Sequence, residues 1–130
     1  MLRVYLWPIL LATTVFAVSS TSELATPDLS FAYSPDKVIH FFIFGLIATS
    51  IIRIPCFFKK GVTGWIYAVI LVACFGAFDE WWQSMTPNRT MEFADWIADV
   101  AGAIVAASLY CYWARYRGVL EYPVGARRTA

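Results

Sequence analysis

His40 is the only histidine in this chain of 130 residues, four positions after Asp36 and three after Lys37. On a helix those spacings bring a carboxylate, an ammonium and an imidazole to one side. Such a trio can move a proton, with His40 as general acid or base aimed by Asp36 or Glu80. It can also meet a phosphate through Lys37 and a charged imidazole, joined by Arg89. Asp79, Glu80 and Gln83 form a second set, again spaced to share one side of a helix. Beyond Arg89, the residues Glu92, Asp95, Asp99, Gly102 and Ala106 step by 3, 4, 3 and 4, one continuous helical stripe. Together Asp36, Lys37, His40, Asp79, Glu80, Gln83, Arg89, Glu92, Asp95 and Asp99 are the candidate binding residues. His40, Glu80 and Asp79 are the candidates for any catalysis.

Other chemistries are excluded or weakly supported. A single histidine rules out a multi-histidine metal centre within the chain. Cys56, Cys74 and Cys111 are odd in number and contain no CxxC pair, so neither a zinc–thiolate site nor a redox dithiol is expected. Cys74 and Cys111 lie in apolar runs and read as packing residues. No GxSxG or HExxH motif supplies a nucleophile or a zinc helix. No cofactor is expected, although Asp79, Glu80, Asp95 or Asp99 could hold a divalent metal. The net charge of +1 excludes a strongly basic nucleic-acid binder.

The elements that must position these groups are membrane helices. Sixty per cent of the residues are hydrophobic and 15% charged, and the mean hydropathy is +0.62. A soluble globule of this size has too little interior to bury so much apolar surface. Crossing the hydrocarbon takes about 20 mostly apolar residues, and four stretches qualify, about 4–20, 38–54, 62–78 and 94–114. The expected fold is all-α, a single domain over 1–130 with four transmembrane helices. The first stretch has an alternative as a secretory signal, with Arg3 before the apolar Leu6 to Val18 and weak cleavage chemistry at Ala17-Val18-Ser19. Trp7-Pro8 and the long apolar run suit a retained helix better.

Charge placement gives an orientation. Eight of the ten basic residues (Arg3, Arg53, Lys59, Lys60, Arg115, Arg117, Arg127 and Arg128) fall at the termini or in the middle connection. By the positive-inside rule these regions, including both termini, are cytoplasmic. Eight of the nine acids then fall on the opposite side, Glu121 being the exception. Glu23 and Asp28 fit a solvated rim. Asp79, Glu80 and Asp99 do not, because they stand on faces that pack.

Local signals refine the helices. Ser34 is placed to cap the second, with Pro35 as its first residue. Thr90 is placed to cap the fourth, whose early acids suit its positive end. Ala94, Ala98, Gly102 and Ala106 form a small-xxx-small run suited to close helix contact, with Ala73, Gly76 and Ala77 as a matching surface. Trp81 and Trp82 read as interfacial belt residues, and Gly61 to Gly64 as a turn rather than a dimer motif. Charges at membrane depth cost about 2.5–3.5 kcal/mol at the centre and less near the surface. At most three cations, Lys37, His40 and Arg89, face five or six acids here, so a protonated carboxyl or a bound cation must close the balance.

These motifs resemble the VanZ-like membrane family. The resemblance runs from Asp36-Lys37-x-x-His40-Phe41, through Asp79-Glu80-x-x-Gln83 and Pro87-x-Arg89, to Asp95-x-x-x-Asp99-x-x-Gly102, covering about 34–114. Many relatives have Asn where this chain has Asp99, and a second glycine where it has Ala106. The family takes its name from a protein that lowers susceptibility to teicoplanin, a glycopeptide acting on cell-wall precursors outside the membrane. The resemblance therefore implies a protein of the bacterial plasma or inner membrane. It supplies no reaction, and it does not extend to glycopeptide resistance by this chain. Three roles stay open: recognition or modification of an envelope lipid or lipid-linked cell-wall precursor; a metal- or His40-dependent intramembrane hydrolase or transferase; and a structural or assembly role. No feature of the sequence specifies an oligomeric state.

Overall fold

The computed structural model describes residues 3–21 and 35–121. Six helices follow one another: α1 (Arg3–Ser19), α2 (Pro35–Ile52), α3 (Pro55–Phe58), α4 (Val62–Gln83), α5 (Phe93–Tyr112) and α6 (Ala114–Leu120). Among the described residues there is no strand. Three helices, α2, α4 and α5, are long and apolar enough to cross a membrane, whereas α1 is shorter at 17 residues. Only 39%, 33% and 33% of their apolar windows are buried inside the bundle. The rest faces outward, with Phe42, Ile70 and Ile97 each at least half exposed. Apolar surface on that scale is stable against lipid, not water.

Each long helix buries one stripe. In α4 it runs Gly64, Ala68, Val72, Gly76, then Asp79, Glu80 and Gln83. In α5 it runs Asp95, Asp99, Gly102, Ala103, Ala107 and Tyr110. These are helical repeats of three and four, so each stripe lines up on one side. The middle of the bundle is apolar, built on Phe44, Ile47, Ala48, Val72, Ala103 and Ala107. Polar residues occupy the ends of the same stripes.

The most extensive helix pair is α2 and α5, where the expected small residues sit. A side chain at Gly102 would collide with the Phe41 carbonyl, and one at Gly45 would lie 3.1 Å from the Gly102 carbonyl. Backbones this near need glycine, as in other membrane helix pairs. Of the small-xxx-small run, Gly102 is buried while Ala94 is exposed, so the contact follows the Asp95–Asp99–Gly102 stripe. On α4, Gly76 is buried and Ala77 exposed.

Boundaries differ from the sequence reading where local chemistry intervenes. α2 ends at Ile52, because Arg53 and Ile54 turn the chain into α3, with Pro55 as its first residue. α4 runs five residues past the expected 78, so Asp79 to Gln83 form its last turns. α5 stops at Tyr112; Trp113 leaves helical geometry (φ −109°, ψ 97°), and α6 folds back. α6 is held where the Tyr110 hydroxyl donates to Glu121 (2.7 Å) and Arg53 approaches the same carboxylate (3.3 Å). Gly61 turns with φ 57°, but Val62 to Gly64 already belong to α4. Cys74 is exposed on the outer face of α4 rather than packed inside, whereas Cys111 is half-buried. Ser34, Glu23, Asp28, Arg127 and Arg128 lie outside the described residues.

Candidate functional site

The polar ends of α2, α4 and α5 meet those of α1 and the 84–92 connection at one end of the bundle. His40 stands one turn into α2, where its Nδ1–H donates to Asp99 Oδ1 at 2.9 Å. An ionised carboxylate can only accept, so Nδ1 carries a proton in this bond and Nε2 is left for other work. The partner is Asp99 rather than the expected Asp36 or Glu80, because the α2–α5 contact at Gly102 carries Asp99 directly to His40. Asp99 is fully buried, and its second oxygen occupies the space a side chain on Gly76 would fill, only 2.7 Å from that position. The small residue on α4 therefore serves a carboxylate.

Asp79 and Gln83 form a second cluster with a residue of α1. Ser19 Oγ donates to Asp79 Oδ2 at 2.8 Å, and Gln83 Nε2 donates to the same oxygen at 3.0 Å. Ser19 is only 5% exposed. Read in sequence as part of a weak cleavage site, it belongs instead to this polar end. Its only signal was a hydroxyl ending an apolar helix. Trp82 likewise binds α1, donating to Ser20 Oγ at 2.9 Å and packing on Phe16, while Trp81 alone points outward. Arg89 approaches Gln83 Oε1 at 3.5 Å, a marginal contact, and makes no ion pair among the described residues.

Glu80 reaches across to α5, whose first helical residue is Phe93. Its Oε2 accepts the Glu92 backbone N–H at 2.8 Å. This takes the place of the expected Thr90 cap: Glu92 is the cap position, and no side chain of its own helix satisfies it. A carboxylate from α4 thus closes one orphan donor of the α5 N-terminus. Lys37 lies 2.9 Å from Glu92 and 3.2 Å from Asp95, tying α2 to the same turn. The Trp96 indole donates to the Ala73 carbonyl at 2.9 Å and pins α5 to α4.

Two recesses open among these groups. The larger, about 170 Å³, lies between α1 and α2. Leu11, Val15, Val18, Ile39, Ile43 and Phe44 form its apolar length, and Ser19, Asp36, His40, Gln83 and Arg89 its polar end. The smaller, about 70 Å³, is polar and bounded by Asp36, Gln83, Arg89, Glu92 and Asp95. Asp36, Gln83 and Arg89 line both. Asp79, Glu80 and Asp99 are at most 1% exposed and stand behind the walls, where they orient the residues in front.

Of the four acids that could hold a metal, Asp95 falls in a group with ligand spacing. Among the described residues the ligating atoms that approach within 4.8 Å of one another belong to Asp36, His40 and Asp95. Five buried polar atoms at this end, Asp79 Oδ1, Glu80 Oε1, Asp95 Oδ1, Asp99 Oδ2 and Arg89 Nε, have no hydrogen-bond partner among the described residues. Such orphans are costly in a fold and concentrate where function needs them.

Comparison with known proteins adds one match. The family model described as VanZ/LLP1 matches residues 4–115. That range takes in α1 as well as the 34–114 region in which the motifs fall. No curated protein and no solved structure matches the chain.

Proposed function

The chain belongs to the VanZ/LLP1 family, and from that premise we propose that it is a multi-pass protein of the bacterial plasma membrane that recognises an envelope lipid or lipid-linked cell-wall precursor. One observation carries this reading: the α1–α2 recess is apolar along its length and polar at one end. That is the polarity of a lipid. An acyl or isoprenoid chain would lie along Leu11, Val15 and Ile43, and an anionic head group would meet Arg89, which pairs with no carboxylate among the described residues. Arg89 can engage a phosphate through paired N–H groups. Asp36, His40, Gln83 and Ser19 would take hydroxyl or amine groups of the head. Lowered glycopeptide susceptibility would follow if the ligand is the precursor that such antibiotics bind.

In this reading α1, at 17 residues, is the fourth span. It lies within the range that still crosses a bilayer, and its Ser19 supports the site. Both termini and the Arg53–Lys60 connection are cytoplasmic, which puts the recess on the outer face. Impermeant maleimide applied from outside should label Asn88→Cys and spare Lys60→Cys; the reverse would invert the orientation.

The function is tested by native mass spectrometry of the purified protein. The wild type should retain a lipid of defined head group. Arg89→Gln should lose head-group selectivity, and Ile43→Trp, which fills the recess, should lose the lipid. Equal retention by all three would sink the proposal. A second reading rests on the His40–Asp99 bond, an imidazole oriented by a buried carboxylate as in hydrolases that use histidine as general base. Turnover of the retained lipid that stops in His40→Gln would favour it.

A further inference from the structure

We propose that Asp36, His40 and Asp95 bind one divalent transition cation, of the Mn²⁺ or Zn²⁺ class, where the two recesses join. Their ligating atoms lie within 4.8 Å of one another, close enough to converge on a single ion. Asp36 and His40 are one helical turn apart on α2, and Asp95 is in the first turn of α5. Those two helices touch backbone to backbone at Gly102 and Phe41, and that contact holds the ligand spacing.

Two further observations point to an ion. First, Asp99 holds His40 Nδ1 at 2.9 Å, so in the neutral imidazole the Nε2 lone pair is the one free to ligate. A carboxylate behind a histidine in this way orients the ring and raises its basicity toward a metal. Second, Asp95 is 4% exposed, and the one cation facing its Oδ1 among the described residues is the Lys37 ammonium, shared with a second carboxylate. The Lys37 ammonium stands 3.2 Å from that oxygen without hydrogen-bond alignment, and its better contact is the Glu92 carboxylate at 2.9 Å. Lys37 can therefore remain with Glu92 while a cation takes Asp95. One imidazole and two carboxylates suit a borderline transition ion better than Mg²⁺ or Ca²⁺, which prefer oxygen alone. Three protein ligands leave positions open toward both recesses, as at metal sites that also take water or a substrate oxygen.

The inference is independent of the lipid reading, because it is tested without lipid. The full chain, purified in detergent and stripped with a chelator, is titrated with Mn²⁺ by electron paramagnetic resonance and with Zn²⁺ by calorimetry. One equivalent should bind. His40→Gln and Asp95→Asn should each weaken binding by about tenfold or more, and Asp99→Asn by about tenfold through the ring it orients. Glu121→Gln, at the far end of the bundle, should bind as wild type. Lys37→Met removes the competing ammonium and should tighten binding, a gain that a misfolded protein cannot imitate. Absence of a stoichiometric ion, wild-type affinity in His40→Gln and Asp95→Asn, or no tightening in Lys37→Met would each overturn the proposal.

Discussion

At the Arg53 end of the bundle, a half-exposed Glu121 carboxylate accepts from the Tyr110 hydroxyl and lies beside the Arg53 guanidinium. Arg117 donates to the Tyr110 and Cys111 carbonyls and lies over the Phe58 ring. At the His40 end, Asp79, Glu80, Asp95 and Asp99 are at most 4% exposed. Of six buried side-chain atoms without a hydrogen-bond partner among the described residues, five are there, all on charged or ionisable groups. The sixth is the uncharged hydroxyl of Thr49, one turn before Arg53. The Arg53 end fastens α6 with groups that water can also satisfy. The His40 end keeps charge out of water with bonds unmade. Neither an ionic contact nor a recess marks a site by itself, since one of about 370 Å³ opens beside Arg53 and Glu121; buried charge with spare valence does.

The two ends should differ most in their response to substitution of a glycine. Gly102→Leu drives a side chain into the Phe41 carbonyl, which no rotamer can relieve. α2 and α5 must part, and the folded bundle should be lost, seen as aggregation on size-exclusion chromatography. Overpacking a core commonly costs about 1–3 kcal/mol, and a backbone collision lies above that range. At Gly118 of α6, a methyl group replacing the hydrogen would meet nothing within 4 Å. Gly118→Ala should leave the fold intact and stabilise by up to about 1 kcal/mol through helix propensity.

Charge removal separates the ends next. Asp99→Leu leaves the His40 ring without its buried partner and crowds Gly76. Removing one member of a buried pair costs about 3–5 kcal/mol, which thermal unfolding in detergent would register. Glu80→Gln is gentler on the fold. Its amide oxygen can still accept from the Glu92 N–H, so the loss should stay near 1 kcal/mol or less. It removes one buried charge among several, however, and lipid retention should fall while folded yield holds. Loss of both together would make Glu80 a structural residue only.

Much of this was legible in the sequence because membranes leave few choices. The apolar lengths located α2, α4 and α5, and the repeats of three and four put Asp95, Asp99 and Gly102 on one packing stripe. The polar groups at 36–40, 79–83 and 89–99 do converge, as their common end of the helices required. Which atom meets which was not legible. His40 met Asp99 rather than Asp36 or Glu80 because a glycine contact on the opposite helix sets the register. Ser19 was invisible because a hydroxyl after an apolar run carries no distinctive spacing. Glu80 as a cap for α5 was hidden by distance: caps are sought within the same turn, and this one comes from twelve residues away. The short α3 and α6 were missed because four and seven residues leave no periodic pattern to read.

The smallest effect concerns the Arg53 clamp. Arg53 is 3.3 Å from both Glu121 Oε1 and the Leu120 carbonyl, with its side chain 36% exposed. Exposed pairs of this kind contribute about 0.2–1 kcal/mol. Arg53→Met keeps much of the stem's packing and removes the charge, so it should cost no more than that at low salt. At 1 M salt the screening length falls to about 3 Å, and wild type and variant should unfold together. The His40–Asp99 pair, with side chains 11% and 0% exposed, is shielded from that screening. The penalty of Asp99→Leu should therefore persist unchanged across the same salt range. Equal salt sensitivity at the two ends would mean that water and ions reach Asp99 as freely as Glu121, and the distinction between clamp and site would fail.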